Sequence, residues 1–326
     1  MIVSRSPVRI TFGGGGTDIA SYYSKRGGFL VAAAINRYTR VTASRGYYDY
    51  IHLKYSKEEK VQKCIEIGHP IFRETLKLLS QSEPIELISS SEVPAGCGLG
   101  SSGSFAVALI KALSVYQGKE LSNRDIAEIA CYIEIDLLGE PVGKQDQYAS
   151  AFGGLNSYTF STKGEVEVES LHITSMALEK LRRKLLLFDT GVERKASDVL
   201  SGVCKELETG DKTANGYDSA KDMAYEMKRL LQHSLHDDFG LLLDDYWKIR
   251  KKISNKVTNP FLDEVYETAI KNGALGGKLQ GAGAGGFFMF YCPMIWQEKL
   301  IQALSGMGLK LMEYGWDTDG VQSYTV

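Results

Sequence analysis

Pro94-Ala95-Gly96-Cys97-Gly98-Leu99-Gly100-Ser101-Ser102-Gly103-Ser104 sets four glycines between two apolar segments of different periodicity. Ahead of it, Ile85 to Ser90 reads as a strand. Behind it, Phe105, Leu109, Ala112, Leu113 and Tyr116 recur at helical spacing until Gly118. A strand, glycine loop and helix in this order turn backbone N–H groups and the positive end of the helix dipole toward one point, which stabilises an anion such as a di- or triphosphate. The hydroxyls of Ser101 and Ser102 suit a phosphate oxygen or Mg²⁺, an ion that takes few protein ligands. No Gly-Lys-[Ser/Thr] closes the loop, and helix rather than strand follows it. Those two features exclude a Walker A loop and a protein-kinase glycine loop.

Three further clusters stand out. Pro7-Val8-Arg9-Ile10-Thr11-Phe12 runs into Gly13 to Gly16 and then Thr17-Asp18, so a ligand can approach the backbone while Asp18 accepts from its hydroxyls. Lys278-Leu279-Gln280-Gly281-Ala282-Gly283-Ala284-Gly285-Gly286 contains a formal G-x-G-x-x-G, but a strand pattern, Phe287 to Tyr291, follows it. A dinucleotide fingerprint needs the strand before and a helix after, which argues against NAD. Gly143-Lys144-Gln145-Asp146-Gln147 follows Glu134. Asp146 beside a cation can orient or deprotonate a hydroxyl, and Glu134 can hold a metal.

At 326 residues, the chain is long enough for two domains. Its 38 Lys and Arg against 40 Asp and Glu leave no positive excess for a phosphodiester backbone, so nucleic acid is not expected as a partner. The 5 scattered cysteines make neither a disulfide framework nor a zinc ribbon. No apolar run approaches the ~18 residues that span a bilayer, and a reducing, cytoplasmic setting without membrane attachment is expected. Strand patterns fill residues 1 to 55. Helices are expected over much of 57–81, over Ser122 to Leu138 and in three stretches between Met223 and Gly273, with strands at 287–292, 309–314 and 321–326. Helices interleaved with strands in both halves make an α+β, two-domain architecture. The runs Arg182-Arg183-Lys184 and Arg250-Lys251-Lys252 read as solvated faces, and His233 with His236 lacks the ligand frame of a metal site.

Taken in order, Pro7 to Asp18, Pro94 to Ser104 and Lys278 to Gly286 resemble the three motifs of the GHMP superfamily of small-molecule kinases, named for galactokinase, homoserine kinase, mevalonate kinase and phosphomevalonate kinase. The basic run Arg182-Arg183-Lys184 leading into the apolar strand from Leu185 places a domain boundary there, giving 1–185 and 186–326; the resemblance implies that the first is a sheet-and-helix domain and the second ferredoxin-like, with an active site in the cleft between them. It implies ATP, its phosphates wrapped by Pro94, Gly96, Gly98, Leu99, Gly100, Ser101, Ser102, Gly103 and Ser104, and Mg²⁺ held by Ser102 and Glu134. Asp146 matches the catalytic aspartate of the sugar kinases, and Arg9 the basic residue that pairs with it. Gly14, Gly15, Thr17, Asp18, Gly143, Gly191, Arg194 and Gly283 are expected at the substrate.

Motif one lacks the Gly-Glu-His-Thr-Asp element of galactokinases and looks like the branch of heptose 7-phosphate kinases and fucokinase domains. Asn36-Arg37-Tyr38 and Asp189-Thr190-Gly191 look closer to the heptose phosphate enzymes, which phosphorylate the anomeric hydroxyl. A substrate phosphate then needs a cationic pocket, for which Arg194-Lys195 or Lys25-Arg26 are the expected sources. A fucokinase-like enzyme acting on an unphosphorylated sugar and a non-catalytic sugar and ATP sensor are the competing readings; the intact Asp146, Glu134 and Ser102 argue against the sensor. Assembly is left open, a homodimer included.

Overall fold

The β-branched and aromatic residues of the first 55 positions build two long antiparallel strands, β1 (Ile2–Gly13) and β2 (Gly28–Ser44), joined through the first glycine cluster and a short helix, α1 (Ala20–Arg26). In this computed structural model, which describes residues 1–81, 83–192, 196–254 and 256–326, the chain continues through β3 (Ile51–Lys54), β4 (Glu58–Val61), α2 (Pro70–Leu78), β5 (Glu86–Ser91), α3 (Ser101–Tyr116), α4 (Asn123–Cys131), α5 (Gln145–Phe152), β6 (Leu155–Phe160), β7 (Val166–Ser170) and α6 (Ser175–Lys184). The second half holds β8 (Leu185–Asp189), α7 (Ala196–Thr209), α8 (Asp211–Gln232), α9 (His236–Ile253), α10 (Pro260–Lys271), β9 (Gly276–Leu279), β10 (Phe287–Tyr291), α11 (Gln297–Gly306), β11 (Lys310–Met312) and β12 (Gln322–Thr325).

Two sheets result. The first runs β12-β1-β2-β5-β3-β4, with β6 beside β2 and β7 beside β6. The second runs β11-β8-β10-β9, all antiparallel. Numbered within their own β-α-β-β-α-β order these strands lie fourth, first, third, second, the ferredoxin-like arrangement. The whole is α+β.

Strand β2 is covered on both faces. Leu30 and Ala32 join Leu109 and Leu113 of α3 in one core, whereas Val31, Ala33 and Ile35 join Tyr217, Ala220 and Ala224 of α8 in another. This is the period-2 alternation of a strand, with alanines letting a helix approach each side. Since α8 belongs to the second half, the two halves share a core. The last strand crosses too: β12 pairs with β1, so the span 186–326 does not hold together as one sheet. Which edge a four-residue strand joins is decided by tertiary packing, not by its own pattern.

The helical pattern over 57–81 is interrupted in sequence at Gly68-His69-Pro70, and the part after that break forms α2, with Pro70 in its first turn. Before the break, β4 pairs with β3 and Cys64–Glu66 forms a single 3-10 turn in which Ile65 is 65% exposed, so the helical pattern there does not become an α-helix. The helix opened by Ser122 is reciprocally capped: Ser122 Oγ accepts from the Asp125 amide at 3.1 Å, and the Ser122 amide donates to Asp125 at 3.0 Å. It ends in a wide π-type turn, Tyr132–Leu137, in which the Leu138 amide reaches back to the Ile133 carbonyl. Such turns re-aim side chains and favour functional sites. Here the turn carries Glu134.

Candidate active site

The loop between β5 and α3 takes its shape from Gly96, Gly98 and Gly100, whose φ values of 71°, 83° and 79° lie where L side chains rarely go. Alternating left-handed residues with ordinary ones brings successive N–H groups to one side as an anion-binding concavity. Neighbouring elements hold the loop. The Arg9 amide donates to the Leu99 carbonyl at 2.9 Å, Arg9 Nη1 to the Gly98 carbonyl at 2.5 Å, and the Phe287 amide to the Cys97 carbonyl at 3.1 Å. Motif three therefore braces motif two from behind, and a Cβ on Gly286 would overlap the Cys97 carbonyl. Gly96, Gly98, Gly100, Ser101 and Ser102 line the cleft. Pro94 is exposed outside it. Leu99 is buried, and Ser104 spends its hydroxyl on the Ser6 carbonyl, tying α3 to β1.

Ser102 Oγ donates to Glu134 Oε1 at 2.5 Å, and Gln147 Nε2 donates to Oε2 at 2.7 Å. Burial pushes the Glu134 carboxyl up to about 7, against the lowering effect of those two bonds. Among the described residues there is no cluster of three or more His, Cys, Asp or Glu able to cage a cation. One hydroxyl and one carboxylate beside a phosphate loop nevertheless fit Mg²⁺, which fills its shell with water and phosphate oxygens. Gln147 Oε1, buried without a partner, adds a spare acceptor to that corner.

Asp146 sits in the first turn of α5 and Arg9 in β1. Arg9 Nε and Nη2 both take Asp146 Oδ1, at 2.7 and 2.5 Å, leaving Oδ2 free of the guanidinium. Gly103 makes room for the pair, since a Cβ there would lie 2.8 Å from the Asp146 Cβ. Beyond Asp146 lies Asp18, 1% exposed, accepting from the Gly16 amide at 2.9 Å and from the Gln145 amide at 3.1 Å. Burial first, then the charge of Asp146, raises its pKa above the ordinary value. Gly143 fits against Asp18 so tightly that a Cβ would overlap its Oδ2.

Other residues expected at the substrate fall elsewhere. Gly15 and Gly16 line the cleft, while Gly14 packs on the Phe29 carbonyl, and Thr17 Oγ1 bonds to the Gly14 and Phe29 carbonyls. Gly283 is pressed against Val257 by backbone packing, leaving Gly281 and Ala282 to face the cleft. Gly191 is exposed. Arg194 and Lys195 lie outside the described residues. Lys25 is exposed and Arg26 is paired with Asp218, so neither is a free cation in the cleft.

Arg250, expected as part of a solvated run, is instead 7% exposed and lines the cleft with Lys278, Tyr217 and Tyr246. A signal for it was present. Leu243, Tyr246, Arg250 and Ile253 share one buried helix face, and an arginine on an apolar stripe needs a reason to be there.

Residues 70–154 match the GHMP kinases N terminal domain, and residues 227–300 match the GHMP kinases C terminal domain. The chain is 32% identical to the D-glycero-alpha-D-manno-heptose 7-phosphate kinase of Campylobacter jejuni, with 100% of this chain and 99% of that protein covered. The chain is a GHMP kinase. This GHMP kinase is also 25% identical to the bifunctional fucokinase/GDP-fucose pyrophosphorylase of Arabidopsis thaliana over 86% of its own length and 29% of that longer protein. A D-glycero-D-manno-heptose 1-phosphate kinase from Bacteroides thetaiotaomicron shares its fold with a TM-score of 0.83 at 23% identity, covering 100% of this kinase and 99% of the other. Family and full-length relative together make the protein an ATP-dependent sugar kinase. Among the described residues, no helix is long and apolar enough to cross a membrane.

The buried carboxyl of this GHMP kinase makes its stability depend on pH. Glu134 titrates near 7 when folded and in the ordinary carboxylate range, about 4.3, when unfolded, so the folded state holds the extra proton between those values. Stability from this group is greatest below about 4.3, falls as pH rises through the window and levels off above 7. Melting temperatures of the metal-free wild type and Glu134→Gln, measured from pH 5 to 8, should diverge in that sense, with the wild type losing ground up to 7. Parallel curves would show that Glu134 is ionised throughout.

Proposed function

We propose that this kinase transfers the terminal phosphoryl group of ATP to the anomeric (C1) hydroxyl of a sugar phosphate, D-glycero-D-manno-heptose 7-phosphate giving the 1,7-bisphosphate. The product would serve nucleotide-activated heptose and surface-glycan synthesis in the cytoplasm. The observation that carries the reading is the Arg9–Asp146 pair, set between the Ser102–Glu134 pair on one side and Asp18 on the other.

Phosphoryl transfer asks for an in-line hydroxyl and for neutralisation of the moving group, with little covalent work by the protein. Arg9 holds Asp146 by Oδ1, so Oδ2 is available to an acceptor hydroxyl, to orient it and accept its proton. Asp18 accepts from a second sugar hydroxyl and fixes the ring. The N–H groups of Gly96 to Ser102 hold the ATP phosphates. Mg²⁺ at Ser102 and Glu134 would neutralise charge across them. A second cavity flanks Ser101 and Ser102 and is walled by Tyr55, His69 and Phe105. Burial lowers the His69 pKa, and we seat the adenine base against that wall.

The test is coupled ADP release with MgATP and, in turn, heptose 7-phosphate, the unphosphorylated heptose, L-fucose and galactose. A kcat/KM at least about tenfold higher for the heptose phosphate is expected, the value of one charge-assisted contact to its phosphate. Preference for L-fucose or free heptose would replace the sugar-phosphate reading with the fucokinase-like one. Tight sugar binding without ADP release would revive the sensor.

A further inference from the structure

Among the described residues, two cations line the cleft without an ion pair to a carboxylate. Arg250 on α9 is 7% exposed and Lys278 on β9 is 4% exposed. Arg250 Nη1 donates to the Gly15 carbonyl at 3.2 Å, and its guanidinium lies 5.6 Å from the centre of the Tyr217 ring. Lys278 Nζ donates to the Thr11 carbonyl at 2.8 Å. These partners are neutral. The nearby carboxylates are already engaged, Asp146 by Arg9 and Asp18 by the amides of Gly16 and Gln145. The fully buried Tyr246 hydroxyl stands against the Gly14 and Gly15 amides but closes no hydrogen bond of normal geometry, and it faces the same cleft.

Burying unpaired charge is costly, and proteins retain it where a ligand completes the pairing. Three facts point to an anion. Burial first, then repulsion from Arg250 and Arg9, push Lys278 well below its ordinary pKa, the mark of a positive hollow lacking its counter-charge. Arg250 has its guanidinium oriented by Tyr217 and the Gly15 carbonyl before any ligand arrives. Among the described residues its contacts are with Gly15 of motif one and Tyr217 of α8, not with the phosphate loop, and Asp18 interacts electrostatically with Arg250 and with Asp146. The anion therefore belongs to the acceptor rather than to ATP.

We infer that Arg250 and Lys278 hold the phosphate that the sugar substrate already carries, with the Tyr246 hydroxyl as a further donor. This rests on the proposed sugar-phosphate reading and moves the phosphate subsite from the expected Arg194-Lys195 or Lys25-Arg26 to α9 and β9.

The test compares kcat/KM for heptose 7-phosphate with that for the unphosphorylated heptose at saturating MgATP, in the wild type, Arg250→Met, Arg250→Lys and Lys278→Met. The preference for the phosphorylated sugar should fall about tenfold in Arg250→Met, the value of one charge-assisted contact, and recover in part in Arg250→Lys. A wild-type preference that survives both Met variants overturns the subsite and leaves the substrate class standing. A wild type with no preference sinks the substrate class itself, and the subsite with it. A rise confined to KM for ATP would assign the cations to the nucleotide instead. Because Arg250 also braces Gly15, a variant that does not fold is replaced by a measurement on the intact chain without ATP. There, heptose 7-phosphate should raise the melting temperature, inorganic phosphate should compete with it, and equal protection by free heptose would overturn the inference.

Discussion

Replacing Asp146 by Asn is expected to lower kcat by about a thousandfold, within the range for loss of a positioned general base, while MgATP still binds. The substitution keeps the shape of the side chain, so the contact with Gly103 survives and the amide oxygen can still accept from Arg9. What disappears is the charge. On the proposed mechanism Oδ2 no longer takes a proton from the acceptor hydroxyl, and Arg9, with its side chain 3% exposed, is left facing a neutral group. Removing one partner of a buried pair costs about 3–5 kcal/mol where both are buried; Asp146 is 28% exposed, so the stability loss should be smaller. Single-turnover ADP formation, read beside nucleotide affinity, separates the two effects. A kcat within about tenfold of wild type would reduce Asp146 to an orienting group, since base catalysis contributes at least a hundredfold.

The three glycine clusters were legible because their chemistry is local. A positive φ every second residue, a helix dipole and a capping box are written in neighbouring positions, and Gly96, Gly98, Gly100 and Ser122 adopt the geometry their types favour. Glu134 was legible only as a motif position. As an isolated carboxylate in a helical stretch it reads as solvated, and the wide turn at Tyr132–Leu137 that carries it at 3% exposure follows no pattern in the residues themselves. Lys278 was visible within motif three without a role, because β9 is buried along its whole length only through the packing of β10 and α9.

Other features depend on partners distant in sequence. The roles of Gly283 and Gly286 divide between packing on Val257 and bracing Cys97, which glycine spacing cannot distinguish. Likewise, β12 returns to β1 across the whole chain, with the Val326 amide on the Met1 carbonyl, so a boundary drawn from local composition misses it. The shared core around β2 has the same origin. It couples α8, which carries Tyr217 beside Arg250, to the strand that supplies Arg9 through β1, so the two walls of the cleft are packed on one sheet.

Gly143→Ala should cut kcat/KM for the sugar about a hundredfold and leave the affinity for ATP nearly unchanged, the scale of loss for about 1 Å of misplacement at a reacting centre. Gly143 has no positive φ, so alanine meets no backbone penalty and the effect comes from the new methyl group alone. That methyl overlaps Asp18 Oδ2, which must swing away from the Gln145 and Gly16 amides. Displaced, a carboxylate that is 1% exposed loses acceptances that burial makes expensive to forgo. It also moves Gln145, which links Asp18 to Thr11 and precedes Asp146. If the methyl acts through Asp18, the double variant Gly143→Ala with Asp18→Asn should cost no more than Asp18→Asn alone, because residues in one network do not add. Additive losses would show that Gly143 contacts the sugar itself, with its hydrogen rather than its packing on Asp18 selected for that position.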